Sequence, residues 1–127
     1  MTERYILLVE DNPDDEELTL LSLRKNNLAH EIVVVRDGVE AIECAKTLRP
    51  EIILMDIMMP RLNGIDATRA IMEERPTTVI FVSGFLQDEV RERAIAAGAA
   101  SLVQKPFTLG DLQSALETST RPAGLPG

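Results

Sequence analysis

Apolar residues gather in five short runs along the chain, at positions 5–9, 32–35, 52–55, 79–82 and 102–103. The runs are rich in Val, Ile and Leu, and most lack strict alternation. That is the pattern of strands buried on both faces, as in a parallel sheet. Between the runs, apolar residues step at helical spacing. Asn12-Pro13 reads as an N-cap followed by proline at the first helical position. Asp14 and Asp15 fall in the first turn, where acids complement the helix dipole, and with Glu16 and Glu17 they read as a solvated face. On this first helix Leu18, Leu21 and Lys25 share one face, Leu20 and Leu23 widen the apolar stripe, and Asn26-Asn27 ends it. Asp37-Gly38 marks a turn. Val39, Ile42, Ala45 and Leu48 then form a second helix that closes at Arg49-Pro50, because a residue before proline disfavours the helical region. Gly64 opens a third helix (Ile65, Ala67, Ala70, Ile71), closed near Arg75-Pro76. Residues 88–97 form a fourth, ended by Gly98, and Leu109, Leu112, Ala115 and Leu116 form a short fifth. Strand followed by helix, five times over, predicts an α/β fold: a doubly wound five-stranded parallel sheet with five helices. The domain is expected to span residues 1–120, with a flexible Pro- and Gly-rich tail at 121–127.

Composition then removes whole classes of function. A length of 127 residues fits one domain. The formal net charge of −8 disfavours nucleic acid, whose binding needs basic residues to displace counterions, and it disfavours anionic membrane surfaces equally. The first apolar run is stopped by Glu10 and Asp11, far short of the roughly 20 residues a membrane span needs and too short for a signal peptide. One cysteine, Cys44, excludes an internal disulfide framework and fits a reducing compartment, so the expected location is cytoplasmic. Cys44 itself reads as a small core residue. His30, the one histidine, falls between the first helix and the second strand and reads as an exposed loop residue.

The chemistry is expected beyond the carboxyl ends of the strands, where open α/β sheets bind ligands. The first run ends in Glu10-Asp11, the third in Asp56, the fourth in Ser83-Gly84, the fifth in Lys105-Pro106, and the second in Arg36-Asp37 beside the turn. Three carboxylates, a hydroxyl and an ammonium would converge on one edge. Carboxylates held that close repel one another and need compensation. Lys105 supplies one positive charge, and a divalent cation could supply two. An oxygen-only site with room for water suits Mg²⁺. A carboxylate beside a metal, a lysine and a hydroxyl is equipped for phosphoryl transfer, with the carboxylate as nucleophile.

These stretches resemble a known family. Leu7-Leu8-Val9-Glu10-Asp11-Asn12, Leu54-Met55-Asp56-Ile57-Met58-Met59-Pro60 with Asn63-Gly64, Val82-Ser83-Gly84, Ala97-Gly98-Ala99 and Gln104-Lys105-Pro106-Phe107 follow the order and spacing of response-regulator receiver domains. These are the CheY-like phosphoacceptor modules of two-component signalling, on the flavodoxin-like fold, and the resemblance covers roughly residues 4 to 118. It implies that Asp56 is the phosphoacceptor. Glu10, Asp11, Asp56 and the backbone carbonyl of Met58 would hold Mg²⁺. Ser83 would donate its hydroxyl to a phosphoryl oxygen, and Lys105, aimed by a cis bond to Pro106, would pair with the phosphoryl group. It also implies a sensor histidine kinase or a histidine phosphotransfer protein as donor, and a downstream protein as reader, with a homodimer left open. The domain would not be an enzyme beyond Mg²⁺-dependent self-phosphorylation and slow dephosphorylation.

Three positions depart from the family pattern. Leu102 stands at the switch position, where Tyr or Phe is common, and leucine cannot reproduce an aromatic rotation. Met58 and Phe85 are apolar where many relatives are polar, and would shield an acyl phosphate from water. Two enzyme and ligand readings fit less well. A phosphoaspartate hydrolase needs a second aspartate where Met58 stands, and a nucleotide or flavin site needs a glycine- or hydroxyl-rich loop where Glu10-Asp11-Asn12-Pro13 stands. A phosphorylation-independent interaction module on the same fold is the alternative that Leu102 keeps open.

Overall fold

A computed structural model of the chain describes residues 4–26, 30–59, 62–84 and 86–119. Five strands and five helices alternate: β1 (Tyr5–Val9), α1 (Pro13–Lys25), β2 (Glu31–Val35), α2 (Gly38–Leu48), β3 (Ile52–Met55), α3 (Gly64–Glu74), β4 (Thr78–Ser83), α4 (Asp88–Ala96), β5 (Ser101–Gln104) and α5 (Leu109–Ser119). Every predicted element is present, with strand ends shifted by a residue at most. The strands form one parallel sheet in the order β2-β1-β3-β4-β5. The order grows outward in both directions from the β1–β3 pair, so the crevice of the sheet opens between the carboxyl ends of those two strands.

The strands read as unbroken apolar runs because helices cover both faces. Leu7, Val9, Ile53, Met55, Val79 and Phe81 point to one side, where they meet Ala41 of α2, Ile65, Ala67 and Ile71 of α3 and Ala94 of α4. Ile6, Leu8, Ile52, Leu54, Ile80, Val82 and Val103 point to the other, against Leu23 of α1 and Leu112, Ala115 and Leu116 of α5. Cys44 is half-buried against the first of these layers.

Helix ends follow local chemistry. Asn12 caps α1 and Asp37 caps α2, their side chains accepting from backbone N–H groups of the first turn. Arg49 closes α2 in the left-handed conformation (φ 50°) immediately before Pro50. Gly98 turns the chain after α4 at φ 109°, a backbone that a side chain would strain.

One expectation on α1 is corrected. Leu18 and Leu21 are 45% and 47% exposed, and the buried residues are Thr19, Ser22 and Leu23. The Ser22 hydroxyl donates to the Leu18 carbonyl at 3.0 Å, so a nominally polar residue is satisfied inside the helix and buries cheaply. The 121–127 tail lies outside the described residues. Among the described residues no helix is long and apolar enough to cross a membrane.

Candidate functional site

Parallel register sets the site before any side chain is considered. Val9, Met55, Phe81 and Leu102 form one row across the sheet. The ladder continues a residue further: the Glu10 N–H donates to the Val35 carbonyl at 3.0 Å, and the Asp56 N–H to the Val9 carbonyl at 3.1 Å. Glu10 and Asp56 are therefore fixed by main chain, one step beyond their strands, and both are buried (2% and 8% exposed). Ser83 is buried at the end of β4. Its carbonyl accepts from the Lys105 N–H at 2.9 Å, which brings the end of β5 to the same edge. The Lys105–Pro106 peptide is cis, as expected.

The side chains converge. One carboxylate oxygen each from Glu10, Asp11 and Asp56 lie within 4.8 Å of one another, with Asp11 facing solvent. The Lys105 ammonium donates to Glu10 Oε1 at 2.8 Å, to Asp15 Oδ2 at 2.8 Å and, more loosely, to Asp56 Oδ2 at 3.3 Å. The N–H of Met58 reaches Asp56 Oδ1 at 3.4 Å, while the residue itself is 60% exposed. Arg36 and Asp37, at the end of β2, stand outside this group. Arg36 pairs with Glu16, and Asp37 accepts from the Glu40 N–H at 2.9 Å. Leu102 is half-buried and packs on the α2–α4 side of the sheet. Phe85 lies outside the described residues.

The electrostatics follow from burial and, among the described residues, from carboxylates that outnumber the ammonium they meet. Burial pushes the Glu10 carboxyl up to about 7, nearby Asp56 adds to the rise, and Lys105 works against it. Burial alone would lower the Lys105 pKa. Hydrogen bonds to Asp15 and Glu10 and the charge of Asp56 outweigh it, so the ammonium is held above its ordinary range. Three carboxylates thus share the Lys105 ammonium, with Asp11 beside two of them. All the donors are hard oxygens, and one side of the cluster is open to water, which suits a partly hydrated Mg²⁺ and not a soft metal.

Two residues behave differently from their sequence reading. Asp15 is a direct partner of Lys105 and not merely a solvated helix-end acid. Only its place, in the first turn of the helix that follows Glu10-Asp11, hinted at this. His30 is no exposed loop residue: its side chain is 6% exposed, and Nε2 lies 3.0 Å from Glu51 Oε2. Glu51 also accepts a two-pronged bond from Arg4, at 2.8 and 2.9 Å. These three residues precede β1, β2 and β3, so they lie at the opposite end of the sheet from Asp56.

Comparisons with known proteins show the family. Residues 6–117 match the family model described as the response regulator receiver domain. A protein-glutamate methylesterase/protein-glutamine glutaminase of Myxococcus xanthus is 42% identical over 104 residues, which cover 80% of this chain and 30% of that protein. The transcriptional regulatory protein PdtaR of Mycobacterium tuberculosis is 37% identical over 117 residues, 90% of this chain and 55% of that protein. The chain therefore spans about half or less of these relatives' length. Among solved structures, the receiver domain of a Pseudomonas aeruginosa sensor histidine kinase, with magnesium coordinated in its active-site cleft, superposes with a TM-score of 0.81 at 33% identity, covering 92% of this chain and 97% of that one.

Proposed function

Because the chain belongs to the response-regulator receiver family of two-component signalling, we propose that Asp56 is its phosphoacceptor and that Glu10, Asp11, Ser83 and Lys105 serve that one reaction. The observation that carries this reading is the Asp56 carboxylate at its strand end, with the Lys105 ammonium on one oxygen and the Glu10 and Asp11 oxygens beside it. An Asp56 carboxylate oxygen attacks the phosphorus of a phosphohistidine on a sensor kinase or phosphotransfer protein. The new O–P bond forms as the P–N bond breaks, and the imidazole leaves with the electron pair and takes up a proton. Lys105 neutralises charge on the phosphoryl oxygens, and the Ser83 hydroxyl donates to one of them. Bound Mg²⁺, held by Glu10, Asp11, Asp56 and the Met58 carbonyl, would offset the negative charge that carboxylates and phosphoryl group accumulate together.

The output is a change in which protein the domain contacts, because phosphorylation biases a pre-existing equilibrium. The proposed setting is cytoplasmic. The domain's own chemistry is confined to gaining and slowly losing the phosphoryl group. The hydrolytic activity named for its methylesterase relative is not carried over, since the match covers under a third of that protein.

Intact-mass spectrometry after incubation with acetyl phosphate and Mg²⁺ tests this. Wild type gains one phosphoryl group, while Asp56→Asn and a metal-free sample gain none. Equal uptake by Asp56→Asn would move the acceptor elsewhere. A folded wild type that takes up nothing from acetyl phosphate or from a phosphorylated kinase would leave the phosphorylation-independent interaction module.

A further inference from the structure

We propose that Asp15 is a positioning residue for phosphoryl uptake, the carboxylate that keeps Lys105 at the acceptor edge while the lysine's other partners are engaged in the reaction. The inference rests on Asp56 being the acceptor. Lys105 carries three N–H donors on a long flexible stem, and three carboxylates meet them. Two of the three, Glu10 and Asp56, belong to the oxygen cluster that would hold the cation, and Asp56 also forms the new bond to phosphorus. Their lone pairs are claimed during the step. Asp15 lies outside that cluster and contacts Lys105 at 2.8 Å, as closely as Glu10 does. It is the partner whose hold persists, leaving the remaining N–H groups for phosphoryl oxygens.

Asp15 is itself well placed to hold something still. It sits in the first turn of α1, where the Asn12 side chain accepts from its backbone N–H at 3.2 Å. The Asn12 N–H in turn donates to Glu10 Oε2 at 3.3 Å, so the helix start is tied to the same strand end. A lysine pinned to such a base loses less freedom when the phosphoryl group arrives, which is the value of preorganisation.

Removing Asp15 has two effects of opposite sign, and this makes the test decisive. Loss of a negative charge near the acceptor eases the approach of an anionic donor and alone would speed uptake. Loss of the lysine's anchor slows it. The experiment measures the rate of phosphoryl uptake from acetyl phosphate with saturating Mg²⁺ by intact mass. The proteins are wild type, Asp15→Asn, the exposed neighbour's Asp14→Asn, Lys105→Ala and the Asp15→Asn/Lys105→Ala double variant, each checked for folding by urea denaturation. Asp15→Asn is expected to be slower than wild type by roughly 3- to 10-fold. Asp14→Asn should be as fast as wild type or faster, and Asp15→Asn should cause no further fall once Lys105 is gone. Uptake by Asp15→Asn as fast as wild type or faster would overturn the proposal. So would an undiminished fall in the Lys105→Ala background, because the effect would then not pass through the lysine. Failure of wild type to take up a phosphoryl group under these conditions would strike at Asp56 as acceptor, and at this inference with it.

Discussion

Gly64 shows how the lack of a side chain shapes the strand end that carries Asp56. A Cβ at this position would stand 2.1 Å from the Asp56 carbonyl oxygen and 2.8 Å from Met55 Cγ. No real contact is that short, and the nearer obstacle is main chain, so the backbone of Asp56 itself must move. The Gly64 N–H also donates to the Ile57 carbonyl at 2.9 Å, closing the loop that follows Asp56. Gly64→Ala should therefore cost about 2 kcal/mol or more, as overpacked and strained substitutions do. The protein that still folds should take up a phosphoryl group more slowly, because Asp56, the proposed acceptor, is displaced. Urea denaturation and phosphoryl uptake measured on the same samples check both, and a variant equal to wild type in stability and rate would show that the loop yields easily. At this scale the sequence was readable where chemistry ends an apolar run. Glu10, Asp11, Asp56, Ser83 and Lys105 all stand within two residues of a strand's last residue, and the sheet gathers them. Asp15 and His30 were not readable, because what defines them is a partner far along the chain, 90 residues away for Asp15 and 21 for His30. A local reading sees only a helix-end acid and a loop.

Among the elements, α1 is the least legible in the sequence. The strands were legible because both faces are buried, which leaves unbroken Val/Ile/Leu runs. The helices were legible from caps, prolines and glycines. The buried face of α1 was not, because it uses Thr19 and Ser22 and leaves Leu18 and Leu21 outside. A stripe of leucines is stronger evidence of helix than of which side faces inward. Its start is better determined. Asn12 Oδ1 accepts from the N–H groups of Asp14 and Asp15 at 2.9 and 3.2 Å, and Pro13 occupies the first helical position. Asn12→Ala should lower stability by about 1 kcal/mol, the usual loss for an N-cap. A shift in the urea midpoint with an unchanged slope would show that the compactness of the two states is untouched. A midpoint equal to wild type would mean that water caps α1 equally well.

For the whole molecule, the sheet has two ends with different work. The carboxyl end of β1 and β3 carries Glu10, Asp11 and Asp56. The amino end is clamped where Arg4, His30 and Glu51 meet just before β1, β2 and β3, and backbone bonds from Glu31 to Arg4 (2.8 Å) and from Glu51 to Tyr5 (2.9 Å) run beside them. The hydrogen bond from Arg4 is the main reason the Glu51 carboxyl sits below its ordinary range, and the bond from His30 adds to it. A carboxylate whose folded pKa is depressed contributes stability that is fully present above its unfolded value, about 4.3. That stability is lost as pH falls through the folded value. Wild type should therefore unfold at a higher temperature than Glu51→Gln at neutral pH, and the gap should close as the pH drops below about 4. Added salt should narrow the gap at neutral pH as well, since Arg4 and Glu51 are exposed and screened. A gap that persisted unchanged into acid would assign the effect to packing and not to charge. Phosphoryl uptake at neutral pH should be the same in Glu51→Gln as in wild type, because the clamp and Asp56, the proposed acceptor, lie at opposite ends of strands whose buried ladder holds them in register. A change in uptake rate would instead show that the amino-end clamp sets the strand positions on which Glu10 and Asp56 depend.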